Sequence, residues 1–342
     1  MFGVSRRSET ILASFDALCG ESLQLDVGRR RPEFSRINAD GTPFQFSLTL
    51  NGACTAPLQF LSEAGVPGCG IAERLSSSYR CLNELATICD LVDDVERLLP
   101  ALRDLIPERD PHLVADHSGM FWFGLSFRDD PSPSLTVYIN GRWGPKTAQW
   151  HRVDRFAALF SSAGHWHSLA TLADPALTPL GMAITLRAGT PPTGRIYLQA
   201  FGVRLNAYRT LFLQSVPSSG LHAEQFDLFG RRVLGEDVIY PLRSAVFSFE
   251  LPDTPASGAK FEVCAHCAFA NDIEAGSRIT GWLHEFGVDA HRYDQMVATL
   301  THGGSLSSLA LPSLHAYVGL GARPSSGYAS IYLNPGPALD CA

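Results

Sequence analysis

The sequence has 342 residues, 45% of them hydrophobic and 18% charged, which is enough to bury a large core. The formal net charge is −7, and the basic run at residues 29–31 is short, which argues against nucleic acid as a partner. The sequence shows no signal peptide and no stretch of about 18 apolar residues, so we expect a cytoplasmic protein without a membrane partner.

Hydrophobic periodicity predicts alternating groups of helices and β-hairpins. The predicted elements are, in chain order, a helix at 5–20, a hairpin at 44–50 and 57–61, two helices over 71–106, a hairpin at 121–128 and 135–140, helices at 149–163 and 165–173, a hairpin at 182–187 and 194–199, helices over 204–230, a hairpin at 246–251 and 259–267, helices at 271–286 and 289–301, and a hairpin at 314–320 and 328–333.

Two clusters were weighed as metal sites. Cys264-Ala-His266-Cys267 has the spacing of half a zinc site, but no second pair follows, and on a strand Cys264 and Cys267 would point to opposite faces. Asp90, Asp93 and Asp94 resemble the aspartate-rich helices that bind magnesium in isoprenoid synthases, but such sites use two clusters. We therefore expect the cysteines to be free thiols and the three aspartates to lie on a solvated helix face. No essential metal or other cofactor is expected.

One strand motif recurs along the chain. LTVYIN at 135–140, GRIYLQ at 194–199 and ASIYLN at 329–334 each carry a β-branched residue, a tyrosine, an aliphatic residue and a carboxamide. Side chains alternate between the two faces of a strand, so each copy has one aliphatic face and one polar, aromatic face. Tyr138, Tyr197, Glu262 and Tyr332 recur at similar intervals, which indicates a structural repeat.

The pattern predicts an α+β fold, a ten-stranded antiparallel β-barrel surrounded by an outer ring of helices and built from five ααββ repeats. We expect one domain over residues 1–342, in which residues 1–30 form an N-terminal helix and a basic loop. A closed barrel has no exposed sheet edges, and a barrel of ten strands is wide enough to enclose a cavity. The alternative is a solvent-exposed sheet face, although such faces favour Lys, Glu and Thr over Tyr and Gln. The alternation of side chains along each strand (strand parity) predicts which residues face the lumen, the inside of the barrel. They are Gln45, Ser47, Gln59, Trp122, Ser126, Thr136, Tyr138, Thr185, Arg195, Tyr197, Gln199, Glu262, Cys264, His266, Tyr317 and Tyr332.

Seven blocks in order carry a family resemblance: DGTPFQFS at 40–47, MFWFGLSF at 120–127 with LTVY at 135–138, GRIY at 194–197, AND at 270–272, GVD at 287–289 with Tyr293, HAYV at 315–318, and IYLNP at 331–335. Together they resemble the soluble aromatic prenyltransferases of the dimethylallyltryptophan synthase type, whose fold is the ABBA or PT barrel. The resemblance implies transfer of a prenyl group from an allylic diphosphate to an indole or another electron-rich arene in secondary metabolism. Enzymes of this family generally need no magnesium for the chemistry.

The resemblance also implies roles for individual residues, with departures from the family pattern. Gln45 stands where the family has an indole-binding glutamate, Gln59 where it has an arginine, and Thr136 where it has a lysine. Arg195 keeps a cation for the diphosphate, and Tyr138, Tyr197, Tyr317 and Tyr332 keep the aromatic shield. Four other side chains can replace the missing cations, judged by the face of the strand on which each lies: Arg128, Arg187, Lys260 and His266. The residues expected to line the substrate pocket are Trp122, Ser47, Gln199, Thr185 and Glu63.

Three functions are compatible with these residues. The first is an aromatic prenyltransferase in which Arg195, assisted by tyrosines, holds the diphosphate and Gln45 orients the acceptor. The second is a barrel enzyme with different chemistry, in which Glu262 or Glu63 acts with His266 in acid–base cyclisation or rearrangement of an aromatic or alkaloid substrate. The third is a non-catalytic binder of small molecules. A monomer or a homodimer is expected in each case.

Overall fold

The structure is a computed structural model. It describes residues 6–23, 35, 37–38, 41–52, 58–65, 70–106, 121–127, 133–160, 177–200, 205–216, 220–235, 245–251, 258–303, 306, 312–324 and 326–335. Three predictions lie outside these residues: the basic run at 29–31, the helix at 165–173, and the position of Arg128.

Helices and strands alternate in the predicted order. The helices are α1 Arg6–Leu23, α2 Ile71–Ile88, α3 Val92–Leu105, α4 Lys146–Ala158, α5 Leu205–Gln214, α6 Gly220–Phe229, which continues into a π-helical turn at Gly230–Leu234, α7 Ala265–Ala268, α8 Asp272–Glu285 and α9 His291–Leu300. The strands are β1 Phe44–Leu50, β2 Leu58–Glu63, β3 Phe121–Phe127, β4 Ser134–Asn140, β5 Thr178–Arg187, β6 Thr190–Ala200, β7 Ala245–Leu251, β8 Ala259–Cys264, β9 His315–Arg323 and β10 Ser326–Leu333. None of the described helices combines the length and the apolar composition needed to cross a membrane.

The ten strands form a closed barrel in the order β1-β10-β9-β8-β7-β6-β5-β4-β3-β2. Each strand therefore neighbours the one before it and the one after it in sequence, and β1 closes the ring against β10. The strand pairs whose register is resolved are antiparallel. The predicted ten-stranded antiparallel barrel with helices around it is confirmed.

Contacts within the chain divide it into two compact units. Unit 1 comprises Met1–Phe46, Pro57–Phe156 and Gly181–Gly194, and unit 2 comprises Ser47–Ala56, Ala157–Leu180 and Arg195–Ala342. In unit 1, helices α1 and α2 pack on strands β2 and β3. Phenylalanines form this interface: Phe15 of α1 meets Phe44 and Phe60 edge to face, and Phe60 stacks on Phe127. The aliphatic face of the strands is therefore the helix-covered face, as the alternation predicts.

Unit 2 repeats this arrangement with its own aromatic core. Helices α5, α6 and α8 pack on strands β8, β9 and β10. Phe261 of β8 lies at the centre, within 4.6–6.1 Å, between ring centroids, of Tyr208, Phe226 and Phe229. These rings are almost fully buried. The side chains that alternate with Phe261 on β8, Lys260 and Glu262, therefore point away from the helices.

The prediction for β8 is wrong at its end. The strand stops at Cys264, and the backbone turns at once into the single helical turn α7. Alternation does not continue past Cys264, because a helical turn places residues three apart side by side. His266 therefore does not belong to the polar strand face on which parity placed it, and Cys264 and Cys267 lie next to each other instead of on opposite faces.

Candidate functional site

The polar face of unit 1 begins with Gln45 on β1. Its side chain is only 3% exposed, and its Nε2 donates to the Ile37 carbonyl at 2.9 Å and to Asn38 Oδ1 at 2.8 Å. Asn38 in turn donates through Nδ2 to the carbonyls of Thr42 and Phe44, so its own orientation is fixed. Both amide hydrogens of Gln45 are thus used within the protein, and the group left to meet a ligand is the acceptor Oε1.

Strand register places further predicted residues on the same face of unit 1. Gln59 lies opposite Ser126 and donates to its Oγ at 3.2 Å. Thr136 lies opposite Thr185, and their hydroxyl oxygens are 2.9 Å apart. A threonine pair and a carboxamide carry no charge. The positions where the resemblance implies an arginine and a lysine therefore hold a neutral hydrogen-bonded network.

Trp122 and Tyr138 form the aromatic part of this face. They lie opposite each other on β3 and β4. Gly124 leaves room for the ring of Tyr138, because a Cβ built at Gly124 would be 3.0 Å from Tyr138 Cε2. The indole Nε1 of Trp122 is buried and has no hydrogen-bond acceptor among the described residues. This face of unit 1 therefore includes a buried donor, Trp122 Nε1, and a buried acceptor, Gln45 Oε1, in aromatic surroundings.

Glu63 stands at the end of β2 and is held by other side chains. Its carboxylate accepts from Ser35 Oγ at 2.9 Å and forms an ion pair with Arg74 of helix α2, and the side chains of Glu63 and Arg74 are at most 3% exposed. Breaking a buried ion pair leaves an uncompensated charge and costs about 3–5 kcal/mol. The geometry gives Glu63 the role of fixing α2 to the end of the sheet, which leaves it poorly suited to accept a proton from a substrate.

The polar face of unit 2 carries Arg195 on β6. Its guanidinium donates to Ser248 Oγ at 3.1 Å and to the carboxylate of Glu250, both on β7. Burial alone would lower the pKa of Arg195, but Glu250 and nearby phenols outweigh it, so the pKa is raised. Burial would conversely raise the pKa of Glu250, and Arg195 with Arg323 keeps it below its usual value. Both groups are therefore charged at neutral pH.

A second cation, Lys260, lies on the same face of unit 2. Its Nζ donates to the Tyr332 hydroxyl at 2.6 Å, lies 5.1 Å from the centroid of that ring, and is 2.8 Å from Glu262 Oε1. Burial would lower the pKa of Lys260, but Glu262 outweighs it, so the pKa is raised and the ammonium stays charged. The contact with Glu262 is ionic without hydrogen-bond geometry, which leaves the buried Oε1 without a donor among the described residues.

Tyrosine rings surround these cations. Tyr317 and Tyr332 lie opposite each other on β9 and β10, with ring centroids 6.2 Å apart and an interplanar angle of 82°. Tyr328 lies opposite Gly321, and a Cβ at Gly321 would overlap its ring. The ring of Tyr197 on β6 is near enough to influence the pKa of both cations. Such rings attract cations through their electron-rich faces.

The remaining predicted residues lie near these clusters. Gln199 on β6 and Ser47 on β1 are both buried and belong to unit 2. Arg187 is the last residue of β5 and is partly exposed, and His266 lies on the turn of α7. Of the replacement cations proposed from strand parity, Lys260 is the one that the described residues place beside the tyrosines.

Three residues of the unit 2 cluster were missed by the sequence reasoning: Ser248, Glu250 and Tyr328. The sequence did contain a signal for these residues, because Ser248 and Glu250 alternate with apolar residues on the predicted strand at 246–251 and so share its polar face. Tyr328 likewise shares the parity of Tyr332. The predicted inward-facing residues include none from the strand at 246–251 and only Tyr332 from the strand at 328–333.

The cations and carboxylates of the cluster balance each other. Arg195 and Lys260 contribute two positive charges, and Glu250 and Glu262 contribute two negative charges. The cluster, defined by these four residues with the surrounding tyrosines, thus has strong hydrogen-bond donors without a net positive charge. An anion that binds to either cation competes with the carboxylate already there.

Among the described residues, no group of three or more His, Cys, Asp or Glu side chains could hold a metal ion. Asp90, Asp93 and Asp94 line an open groove of about 690 Å³ beside the β5–β6 turn, and Asp94 pairs with Arg97. This arrangement is that of a solvated helix face.

No family model matches the sequence, and no curated protein matches it. Solved structures do match. One is 5-dimethylallyl tryptophan synthase from Streptomyces coelicolor in complex with DMASPP and Trp, with a TM-score of 0.81 and 20% identity over 98% of this chain and 91% of that one. Another is 6-dimethylallyltryptophan synthase from Micromonospora olivasterospora, with a TM-score of 0.78 and 20% identity over 98% and 99%. AnaPT from Neosartorya fischeri has a TM-score of 0.74 and 14% identity over 97% and 88%. The protein therefore has the PT-barrel fold of these enzymes.

Proposed function

We propose that the protein is an aromatic prenyltransferase that transfers an allylic group from a prenyl diphosphate to an indole or another electron-rich arene. The observation that carries the proposal is the unit 2 cluster, in which two cations, the buried Lys260 and the partly buried Arg195, lie near tyrosine rings. Similarly folded enzymes have been crystallised with a prenyl diphosphate analogue and tryptophan, which supports the same two substrate classes here.

In the proposed reaction, the C–O bond of the donor breaks and its electron pair leaves with the diphosphate. Arg195 and Lys260 hold this leaving group through charge-assisted hydrogen bonds. Tyr332 accepts a hydrogen bond from Lys260, which places its hydroxyl beside the proposed position of the diphosphate. The rings of Tyr197 and Tyr317 shield the allylic cation from water. No metal ion is required in this scheme.

The acceptor is proposed to meet the acceptor atom of Gln45. Because both amide hydrogens of Gln45 are used by Ile37 and Asn38, its Oε1 is oriented to accept a hydrogen bond from an indole N–H or a phenol O–H. A carboxamide orients the ring without removing a proton. After the carbon–carbon bond forms, the arene loses a ring proton, for which Glu262 is the proposed acceptor, since its Oε1 receives no hydrogen bond from the described residues and is in ionic contact with Lys260.

The test is calorimetric titration of the protein with dimethylallyl and geranyl thiolodiphosphates and with pyrophosphate. Binding is expected, and Arg195→Ala should weaken it at least tenfold, since a charge-assisted hydrogen bond contributes about 1.5–3 kcal/mol. Arg209→Ala is the matched control, because Arg209 pairs with Asp227 on helices α5 and α6, away from the cluster. Failure of the wild-type protein to bind any allylic diphosphate or pyrophosphate would refute the proposal.

Turnover is tested separately from binding. Incubation with each diphosphate and tryptophan, indole or a simple phenol, followed by mass spectrometry, should reveal an adduct one prenyl group heavier than the acceptor. Glu262→Gln is expected to retain diphosphate binding and lose most turnover. Normal turnover in that variant would exclude Glu262 as the proton acceptor and leave the binding site unaffected.

A second function has one specific observation in its favour. Each cation of the cluster already has a carboxylate partner, so these four residues together supply no net positive charge for a highly charged diphosphate. A neutral aromatic substrate could instead be cyclised or rearranged, with Glu262 as the base and Lys260 or Tyr332 as the acid. The two functions predict different experimental results. Under the second, the protein does not bind allylic diphosphates but binds an uncharged aromatic ligand, and Glu262→Gln abolishes the conversion of that ligand.

A further inference from the structure

The segment Cys264-Ala-His266-Cys267 plays no part in the proposed reaction. Cys264 is the last residue of β8 and the N-cap of α7, and Cys267 is the third residue of that turn. Residues three apart on a helical turn are neighbours, so the two thiols lie side by side, close enough for each to shift the pKa of the other. Both side chains are partly exposed to solvent, and neither is in a disulfide.

We propose that Cys264 and Cys267 form a reversible dithiol–disulfide couple that exchanges with low-molecular-weight disulfides such as glutathione disulfide. The proposal rests on the contact between the two sulfurs, on their shared access to solvent, and on the C-x-x-C spacing across the start of a helical turn. It does not depend on the proposed prenyltransferase function.

The direction of the exchange follows from the environments of the two thiols. The hydrogen bond from Cys264 lowers the pKa of Cys267 to about 7, so a large fraction of Cys267 is thiolate at neutral pH. The same hydrogen bond, together with burial, raises the pKa of Cys264. Cys267 is therefore the attacking sulfur and Cys264 the resolving one.

The proposed exchange has two steps. The Cys267 thiolate attacks one sulfur of glutathione disulfide, and one glutathione leaves as a thiolate that takes a proton from water. Cys264 then loses its proton to water, and its sulfur attacks the Cys267 sulfur, which releases the second glutathione as a thiolate that also takes a proton from water. Counting the proton that Cys267 lost on becoming a thiolate, the protein loses two electrons and two protons, and one glutathione disulfide becomes two glutathione thiols.

The couple lies beside the tyrosines of unit 2. Cys264 is directly opposite Tyr317 across β8 and β9, and Tyr317 is opposite Tyr332.

The experiment equilibrates the purified protein with glutathione buffers of increasing oxidised fraction, quenches with acid, alkylates with N-ethylmaleimide and maps peptides by mass spectrometry. The expected result is a peptide linking Cys264 to Cys267 that disappears on return to a reducing buffer. Absence of that link at every ratio, in protein whose circular dichroism is unchanged, overturns the proposal.

Single variants test the assignment of the two sulfurs. Cys264→Ser should accumulate a glutathione adduct on Cys267, because the resolving thiol is gone, whereas Cys267→Ser should form neither link nor adduct at this segment. Serine is a good N-cap, so Cys264→Ser keeps the turn. Cys89→Ser is the control, because Cys89 is buried with its pKa raised to about 12 and should leave the link unchanged. An adduct that persists on Cys267 in the wild-type protein contradicts the resolving role of Cys264.

Discussion

Arg195 and Glu250 lie on neighbouring strands of the barrel, and the guanidinium of Arg195 is held by the carboxylate of Glu250. Ser248 and the backbone amide of Gly258 complete the contacts of this pair. A diphosphate that binds to Arg195 must therefore compete with a carboxylate that belongs to the protein.

Replacing Glu250 with glutamine is expected to tighten pyrophosphate binding about tenfold, because the competing charge is removed while a hydrogen-bonding amide remains. The measurement is calorimetric titration at neutral pH. Asp227→Asn is the matched control, since it frees the surface residue Arg209 without altering the cluster and should leave pyrophosphate affinity unchanged. Equal or weaker binding by the Glu250 variant would show that Glu250 does not oppose the anion.

Gly321 is expected to be intolerant of a methyl group, because the ring of Tyr328 occupies the space that a Cβ would need. Gly321→Ala should lower the free energy of unfolding by roughly 1–3 kcal/mol. Gly281→Ala is the control: Gly281 is on helix α8 with no atom near its Cβ position, and alanine should stabilise the helix by about 1 kcal/mol. Urea denaturation of both variants measures the difference, and a stable Gly321→Ala protein would contradict the close packing of Tyr328.

Gln45→Glu would restore the residue type that the family resemblance implies, but the structure predicts that the carboxylate is not accommodated. It cannot donate to the Ile37 carbonyl and Asn38 Oδ1, and it places a charge beside two acceptors in a site that is 3% exposed. We expect a loss of roughly 2–5 kcal/mol in the free energy of unfolding. Gln59→Glu, at a partly exposed position, should change stability much less. A Gln45→Glu protein as stable as the wild type would mean that the Asn38 network rearranges.

Asp272 makes stability depend on pH in the acid range. It is 1% exposed and accepts hydrogen bonds from His315 Nδ1 and from the backbone amides of residues 313–315. Burial would raise its pKa, but these bonds outweigh it and lower the pKa from 3.8 to about 2. Because the folded pKa lies below the unfolded one, the stabilisation of about 2 kcal/mol is present above pH 4 and is lost as the pH falls towards 2.

Denaturation by urea between pH 5 and pH 2 measures this loss. Asp272→Asn should be less stable at pH 5 and should show a smaller decline in stability over that range. Asp93→Asn changes an exposed carboxylate on α3 and should keep the wild-type decline. An Asp272→Asn protein with the full wild-type decline would assign the acid sensitivity to other carboxylates.

The strands and the face of each side chain were predictable from the sequence, because alternation is a local property of the chain. Arg195 and Tyr197 could be placed on one polar face in this way. The partners of the cations were not predictable, because they depend on the register between strands. Neither the pairing of Lys260 with Tyr332, 72 positions apart in sequence, nor that of Arg195 with Glu250 leaves a local signal.

The failure at His266 has a different physical cause. Residues 259–267 continue an apolar and polar alternation that is compatible with a strand, but the alanines at 265 and 268 also favour a helix, and the chain turns into α7. A four-residue turn is too short to leave a periodic signal. The network of Gln45 was likewise unpredictable, because Ile37 and Asn38 form a bend before β1, and a bend leaves no periodic signal in the sequence.

The pairing of both cations with carboxylates has a consequence for the empty protein. Cations gathered without counter-ions repel one another, and such a site depends on its ligand to become stable. Here Glu250 and Glu262 remove that repulsion, so the cluster is electrostatically complete on its own. Ligand binding is then an exchange of one anion for another, and the arrangement of the four charged side chains should persist when no diphosphate is bound.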